Sequence, residues 1–403
     1  MDLAIQELKE GLSTDAEADV GARIVRLLSE RGRLSAAEIA RHLGVAKSTV
    51  SAAVSELRKR ELVVEASAAR PAATGPGRPG HALSLNGRLG TCVGVQIGPR
   101  HMHLVVADVS HAIVADKVIE HAFDDGPREA AAMLRGEVER ICADNALSFD
   151  TLLGVGLALP GPVAHQGDMF LRSSLLPRWA GTELREIFES AFERPIYAEN
   201  ESNCSAIAEM MWGAASDCDD FVFFKVDIGI GGAVVLNRRV VRGIAGAAGE
   251  FGHISVDPRG DLCECGNRGC VELRAGFRAV LRHAQPRFGP DITVERIIEL
   301  ALAGDAGCRR LIEDAAEAAG QGLAAVGAVL NPARVVVGGR VAAAGALLID
   351  PLVASFDRHA LVKRNEQPAS LHTRIVPGAF PQTDACLGAV GLVLIRHGKL
   401  YSG

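Results

Sequence analysis

Residues 246–272 read GAAGEFGHISVDPRGDLCECGNRGCVE. Nine residues separate His253 from Cys263, and Cys265 and Cys270 follow, so one imidazole and three thiols fall within eighteen positions. That is a full ligand set for a closed tetrahedral zinc site, and Pro258, Gly266 and Gly269 supply the tight turns that bring the sulfurs together. Three thiols leave one over from any disulfide, and nothing else in the chain points to an oxidising compartment. Glu250 and Glu272 bracket the four ligands. A carboxylate there can accept two charge-assisted hydrogen bonds from vicinal hydroxyls, or it can orient the metal-bound imidazole through its free nitrogen.

Around this stretch lies a chain of 403 residues, 48% hydrophobic and 4% aromatic, which suits two or three domains with closely packed Ala- and Gly-rich helices and argues against disorder. No apolar run reaches the roughly 18 residues that a membrane span needs, and Met1 to Glu10 is polar and acidic, unlike a signal peptide. A cytoplasmic location with no membrane partner is therefore expected. Cys92, Cys142, Cys218, Cys308 and Cys386 then read as small buried hydrophobes. The net charge of −6 is uneven: residues 31–90 hold ten Lys or Arg and four Glu, a balance of +6, which leaves −12 for the remainder. A basic head on an acidic body is the pattern of a protein in which one domain meets phosphates and the other does not.

Within that head, residues 34–63 read LSAAEIARHLGVAKSTVSAAVSELRKRELV. An apolar stripe over Ile24, Val25, Leu27 and Leu28 precedes it. Ser35 and Glu38 form a capping box, Ile39 and Leu43 carry an apolar face, and Gly44 ends the helix. A second helix turns Val50, Val54 and Leu57 inward and Lys47, Ser48, Thr49, Ser51, Ser55 and Arg58 outward. Small polar residues at its start and a Gly turn before it fit a helix-turn-helix whose second helix enters the major groove, against the plainer alternative of a helical hairpin in a bundle. Leu62 to Glu65 and His81 to Leu85 read as the strands of a wing. The loop between them, ARPAATGPGRPG (69–80), carries Arg78 in a GRP sequence suited to a narrow minor groove, unless it is only an interdomain linker. Lys47, Ser48, Thr49, Ser51, Arg58 and Arg78 are thus the candidate DNA-binding residues. After Asn86 the sequence alternates apolar strands with Ala-rich helices, an α/β pattern.

GEFGH followed by CxCGNRGCxE resembles the zinc loop of the ROK family, named for repressors, open reading frames and sugar kinases. The resemblance implies one structural Zn2+ per chain on His253, Cys263, Cys265 and Cys270, stiffening a sugar pocket, and it assigns Glu250, His253 and Glu272 to sugar binding. Three further stretches resemble the family with departures. In TCVGVQIGPRHMHLVVADVS (91–110), Gln96 stands for the Asp of the kinases' DxGGT and Gly98, Pro99 and Arg100 for Gly-Gly-Thr, so an N–H donor and a magnesium carboxylate are gone. In IYAENESNCSAIAEMMWG (196–213), Asn200 and Glu201 stand for Asn-Asp, whose Asp is the general base. One extra methylene moves a carboxylate by more than about 1 Å, enough to harm phosphoryl transfer while still allowing Glu201 to hold a sugar hydroxyl. In FVFFKVDIGIGGAVVLNRRVVRGIAG (221–246), Asp227 and Ile228 replace the Gly and the phosphate-binding Thr of a second phosphate loop, while Gly229, Gly231 and Gly232 keep its turn. Asn200 and Glu201 join the sugar-binding set on this ground.

Residues 1–19, acidic and with little periodicity, read as a loose arm or a short helix. The resemblance covers nearly the whole chain and implies a winged helix-turn-helix (20–86) and a two-lobed body (87–403) with the duplicated, ribonuclease H-like fold of actin-like ATPases. The function it implies is a sugar-responsive regulator, usually a repressor, binding a palindromic double-stranded operator as a homodimer or dimer of dimers, with a sugar or sugar phosphate as effector. A sugar kinase with an added DNA-binding domain, and a zinc-stiffened scaffold for a protein partner, are the competing readings. ATP-dependent sugar phosphorylation separates the first from the second, and operator binding separates it from the third.

Overall fold

Local sequence signals set the first elements of the computed structural model, which describes residues 19–66, 82–120, 126–164, 169–171, 173, 175–363, 366, 368–381 and 383–397. Helix α1 (Val20–Arg31) is capped by the Asp19 carboxylate and buries Ile24, Val25 and Leu28 before ending at Gly32. Strand β1 (Leu34–Ser35) leads into α2 (Ala36–Leu43), where the capping box is complete: Glu38 N donates to Ser35 Oγ at 3.3 Å and Ser35 N to the Glu38 carboxylate at 2.8 Å. Gly44 closes α2 in the left-handed region at φ 66°. Helix α3 (Lys47–Lys59) buries Val50, Val54 and Leu57. Strands β2 (Val63–Glu65) and β3 (Ala82–Leu85) pair antiparallel with Val63 opposite Leu85, and β1 lies on the other edge of β3. This is the expected winged helix-turn-helix. The 1–18 arm and the wing loop with Arg78 lie outside the described residues.

The chain divides into two compact units, one that includes the head, runs to Asn200 and resumes at Cys386, the other spanning Glu201–Ala385. In the first, β4 (Thr91–Ile97), β5 (His101–Asp108) and β6 (Ile113–Glu120) form an antiparallel meander, and β7 (Leu152–Leu159) adds in parallel to β4. Three short strands, β8 (Val163–Ala164), β9 (Met169–Phe170) and β10 (Thr182–Glu183), make a separate sheet, and β11 (Ile196–Asn200) completes the main one in the order β11-β7-β4-β5-β6. Val93, Val95 and Ile97 face α4 (Pro127–Asp144) and α5 (Leu184–Phe192) in one core. Gly94 and Gly156 face the other way, against the C-terminal helix. A Cβ on either would lie 2.1 Å from the carbonyl oxygen of Cys386 or Ala389, so only glycine admits that helix so close to the sheet.

The second unit repeats the topology. Helix α6 (Glu201–Met211) leads to the meander β12 (Phe221–Val226), β13 (Ile230–Leu236) and β14 (Arg239–Val241). Helices α7 (Glu272–Ala275), α8 (Phe277–Phe288), α9 (Val294–Leu302) and α10 (Ala306–Leu330) follow, then β15 (Arg334–Gly338), α11 (Ala346–His359) and β16 (Arg374–Pro377). The sheet order is β14-β13-β12-β15-β16, with β15 parallel to β12 and β16 parallel to β15. Two strands added in parallel to an antiparallel meander, found in both units, is the duplication that the strand, Gly turn, strand segments near residues 94 and 226 imply. The last helix, α12 (Asp384–His397), supplies the residues that cover Gly94 and Gly156.

Of the cysteines expected in the interior, Cys92, Cys142, Cys308 and Cys386 are buried; Cys218 is half-exposed and its Sγ donates to the Asp220 carbonyl at 3.1 Å. Among the described residues no helix is long and apolar enough to cross a membrane.

Candidate metal centre, ligand site and nucleic-acid interface

The loop after β14 folds back on itself through two isolated bridges, Ser255 with Cys270 and Leu262 with Arg268. Cys263 N donates to Asn267 O at 2.7 Å and Gly266 N to Cys263 O at 2.9 Å, a knuckle that needs Gly266 at φ 94°. The ligand atoms of His253, Cys263, Cys265 and Cys270 all come within 4.8 Å of one another, with Cys263 Sγ 3.6 Å from His253 Nδ1 and Cys265 Sγ 3.7 Å from Cys270 Sγ. Zn–S bonds of about 2.3 Å and Zn–N bonds of about 2.0–2.1 Å put the edges of a tetrahedron at roughly 3.5–3.8 Å. The donor set therefore fits one zinc ion. Without a metal, burial and the neighbouring thiols push the Cys270 thiol up to about 12.

The carboxylates assigned to sugar lie in different settings. Glu250 is half-buried, and its carbonyl accepts the His253 N–H at 3.1 Å, which closes the turn into the first metal ligand. Glu272 opens α7 directly after Cys270 and Val271, and its carboxylate rests over Gly229 and Gly252, where added Cβ atoms would come within 3.3 and 2.9 Å of it. The metal loop, the Gly-rich turn after β12 and Glu272 are thus packed together. Asn200 ends β11, and its side-chain amide donates to Gly161 O at 3.1 Å, so it braces the Pro160–Gly161 turn. Glu201 begins α6 and is ion-paired with Lys225 at 2.8 Å.

Sequence reading missed Lys225. It is 7% exposed, and although burial would strip its proton, Glu201, Asp227 and Asp384 hold the ammonium well above the usual lysine range. The opposing effect is visible at Asp384, pushed up to about 6 by burial despite Lys225. A lone lysine inside the apolar run FVFFKV was the available signal, since a buried ammonium demands a carboxylate. Glu201 and Asp384 could not be named as its partners, because they come from helices α6 and α12. At the other two kinase-like turns the departures are built into the structure. Gly98 N donates to His101 O at 2.9 Å, making a closed hairpin around Pro99, and Gln96 pairs within the sheet opposite His103. Asp227 accepts from Arg340, a contact between residues 113 positions apart.

On the head, Lys47, Ser48, Thr49, Ser51 and Arg58 are all exposed on α3, and Ser51 and Arg58 line one shallow groove with Ser55, Lys59, Ala36 and Leu83. Arg58 is not free: its guanidinium meets Glu65 on β2 at 2.7 Å. The head is tied to the rest of the first unit by a residue no motif marks. His111, in the turn between β5 and β6, is held at φ 70°, and its Nε2 donates to the carbonyl of Ser29 in α1 at 2.8 Å. Burial depresses its pKa to about 4, so the ring is the neutral Nε2–H tautomer. Asp108 braces that turn, accepting from Ser110 N at 2.7 Å and Ala112 N at 3.2 Å, and its carboxylate abuts Gly87.

Comparisons with known proteins agree with this fold. The profile of the ROK family matches residues 92–396, and that of the MarR family matches residues 22–71. A xylose repressor from Caldicellulosiruptor bescii is 25% identical over 384 residues, covering 92% of this chain and 94% of its own. A solved ROK family transcriptional regulator, a homologue of the E. coli MLC protein, superposes with a TM-score of 0.72 at 23% identity, covering 91% of this chain and 93% of its own. The ROK hexokinase from Thermus thermophilus, at 30% identity and a TM-score of 0.62, covers 75% of this chain and 97% of its own.

Proposed function

We propose that this chain, which belongs to the ROK family, is a sugar-responsive DNA-binding repressor of carbohydrate metabolism genes and not an enzyme. One observation carries the reading: a winged head with an exposed polar recognition helix is joined to a sugar-kinase-like body whose two Gly turns hold Pro99 and Asp227 where phosphate donors would be needed. The repressor relative matches across head and body, whereas the hexokinase matches over a share of the chain that corresponds to the body alone. One zinc ion on His253, Cys263, Cys265 and Cys270 stiffens the loop between Glu250 and Glu272.

In detail, residues 20–86 form the DNA-binding domain and 87–403 the sensing body. Asn200, Glu201, Glu250, His253 and Glu272 are the sugar-binding residues. His253 serves both the metal and the sugar, and Glu250 and Glu272 accept hydroxyl hydrogens. Glu201 works as a fixed acceptor, since its charge is already matched by Lys225. Lys47, Ser48, Thr49, Ser51, Arg58 and Arg78 contact DNA, with a homodimer or dimer of dimers on a palindromic operator. Sugar or sugar phosphate shifts the population of the DNA-competent form.

The test is fluorescence anisotropy on the DNA upstream of the protein's own coding sequence, with and without a panel of monosaccharides and their phosphates chosen by thermal shift. Saturable binding weakened by one of them is expected. ATP-dependent sugar phosphorylation above background would favour a kinase with an added head, and absence of any DNA binding at low salt would remove the repressor.

A further inference from the structure

Glu272 and the Gly-rich turn lie at the carboxyl ends of β12 and β15, where Lys225 stands opposite Gly338. The amino end of the same sheet, where Arg334 of β15 pairs with Arg374 of β16, is roughly 13 Å away along the strand. A separate cavity of about 150 Å³ opens there. Phe356, Leu361 and Val362 give it an apolar wall, and Asp357 and His372 are the lining residues that can carry charge. Leu361 stands 85% exposed at its rim.

Two helices end at this cavity. Asn331, which lines it, closes the 25-residue α10 in the left-handed region at φ 41°, with its N–H on Gly327 O at 2.9 Å. Ala360 closes α11 with its N–H on Phe356 O at 2.7 Å. The carbonyl end of a helix carries partial negative charge, so both ends favour a cation, and the Asp357 carboxylate adds to them. At α11 a cation is already in place: Lys363 Nζ donates to the Asp357 and Arg358 carbonyls at 3.1 and 2.7 Å. Helix α10 has no basic residue in its last turn.

We propose that this cavity is a second ligand site, for a small organic cation: a protonated amine on a compact apolar body. A cavity of this size takes a benzene-sized molecule, which sets the body at about six to eight heavy atoms. The ammonium lies against Asp357 and the carbonyl end of α10, and the body covers Phe356, Leu361 and Val362. An anion of the same size would meet the carboxylate and two helix carbonyl ends, opposed within the lining by His372 alone. The inference goes beyond the repressor reading and does not rest on it, because its readout involves neither DNA nor sugar.

The experiment titrates full-length, zinc-loaded protein with three probes of one size and different charge, benzylamine, benzyl alcohol and benzoate, at equal ionic strength. Calorimetry and melting temperature are the readouts. Benzylamine should saturate one site per chain, raise the melting temperature, and bind at least about tenfold more tightly than benzyl alcohol, with benzoate weakest. Asp357→Asn, which keeps the volume and removes the charge, should bring benzylamine down to the level of benzyl alcohol. Ala328→Leu, at the exposed rim of the cavity, should fill it and abolish binding of both; this variant decides the matter if Asp357→Asn is not soluble. Absence of benzylamine binding to the wild type, an affinity no greater than that of benzyl alcohol or benzoate, or benzylamine binding that survives Ala328→Leu would each overturn the proposal.

Discussion

The thiols of Cys263 and Cys270 are buried, and the cluster they share with Cys265 and His253 fits a single ion. Cys263→Ser or Cys270→Ser should each abolish zinc binding, since a hydroxyl is a poor zinc ligand, and should weaken the sugar response by loosening the loop that carries Glu250 and Glu272. Elemental analysis and sugar titration read the two losses, while the head, with its own core, should keep its DNA affinity. Lys225 gives a contrasting case. Lys225→Met would leave Glu201 and Asp384 in the interior with no cation, and breaking one side of such a set costs about 3–5 kcal/mol. A large drop in the denaturant midpoint is expected, partly restored by Glu201→Gln in the same chain. Zinc ligands could be named from sequence because they sit within eighteen positions of one another. The Lys225 and Arg340 partners could not, because they meet only after the register of β12 against β15 and the course of α6 are fixed.

At the scale of elements, α2 and α3 were legible because their signals are local: a capping box, a left-handed Gly44 and an apolar face at helical spacing. The strand count of each sheet was not, since a run such as LLGVGLAL, buried along its whole length, has no alternation to read. Helix α3 also shows that exposure does not settle a role. Arg58, read as a DNA contact, is tethered to Glu65, whereas Lys47 projects from the first turn with Ser48 and Thr49. Lys47→Ala should therefore weaken binding to operator and unrelated duplex alike, and lower the slope of log affinity against log salt by about 1. Anisotropy titrations across a salt series measure both. The turn between β5 and β6 makes a different prediction. His111 has a folded pKa of about 4 against 6.5 in an unfolded chain, so between those values the unfolded state binds more protons and stability must fall as pH drops. The full loss is on the order of 3 kcal/mol from the size of that shift. His111→Asn, which tolerates the left-handed backbone and carries no titrating ring, though its shorter amide gives up the bond to Ser29, should flatten the pH dependence of unfolding between pH 6.5 and pH 4.

For the molecule as a whole, the two repeated sheets and the basic head were legible as classes of structure. What attaches one to the other was not, because the attachment is a histidine in a short turn with no motif around it. Among the described residues that attachment is His111 on Ser29, while Asp108 against Gly87 and Val109 N on Gly90 O at 3.0 Å anchor the start of the body where the head ends. The DNA reader is consequently a cantilever and not a pendant on a string. In the proposed dimer, the interval between half-sites would then be ruled by how the bodies pair. Slackening the connection between Leu85 and Thr91 should erase that ruler, so that operators of altered spacing compete on equal terms, while each reader keeps its grip on a single half-site.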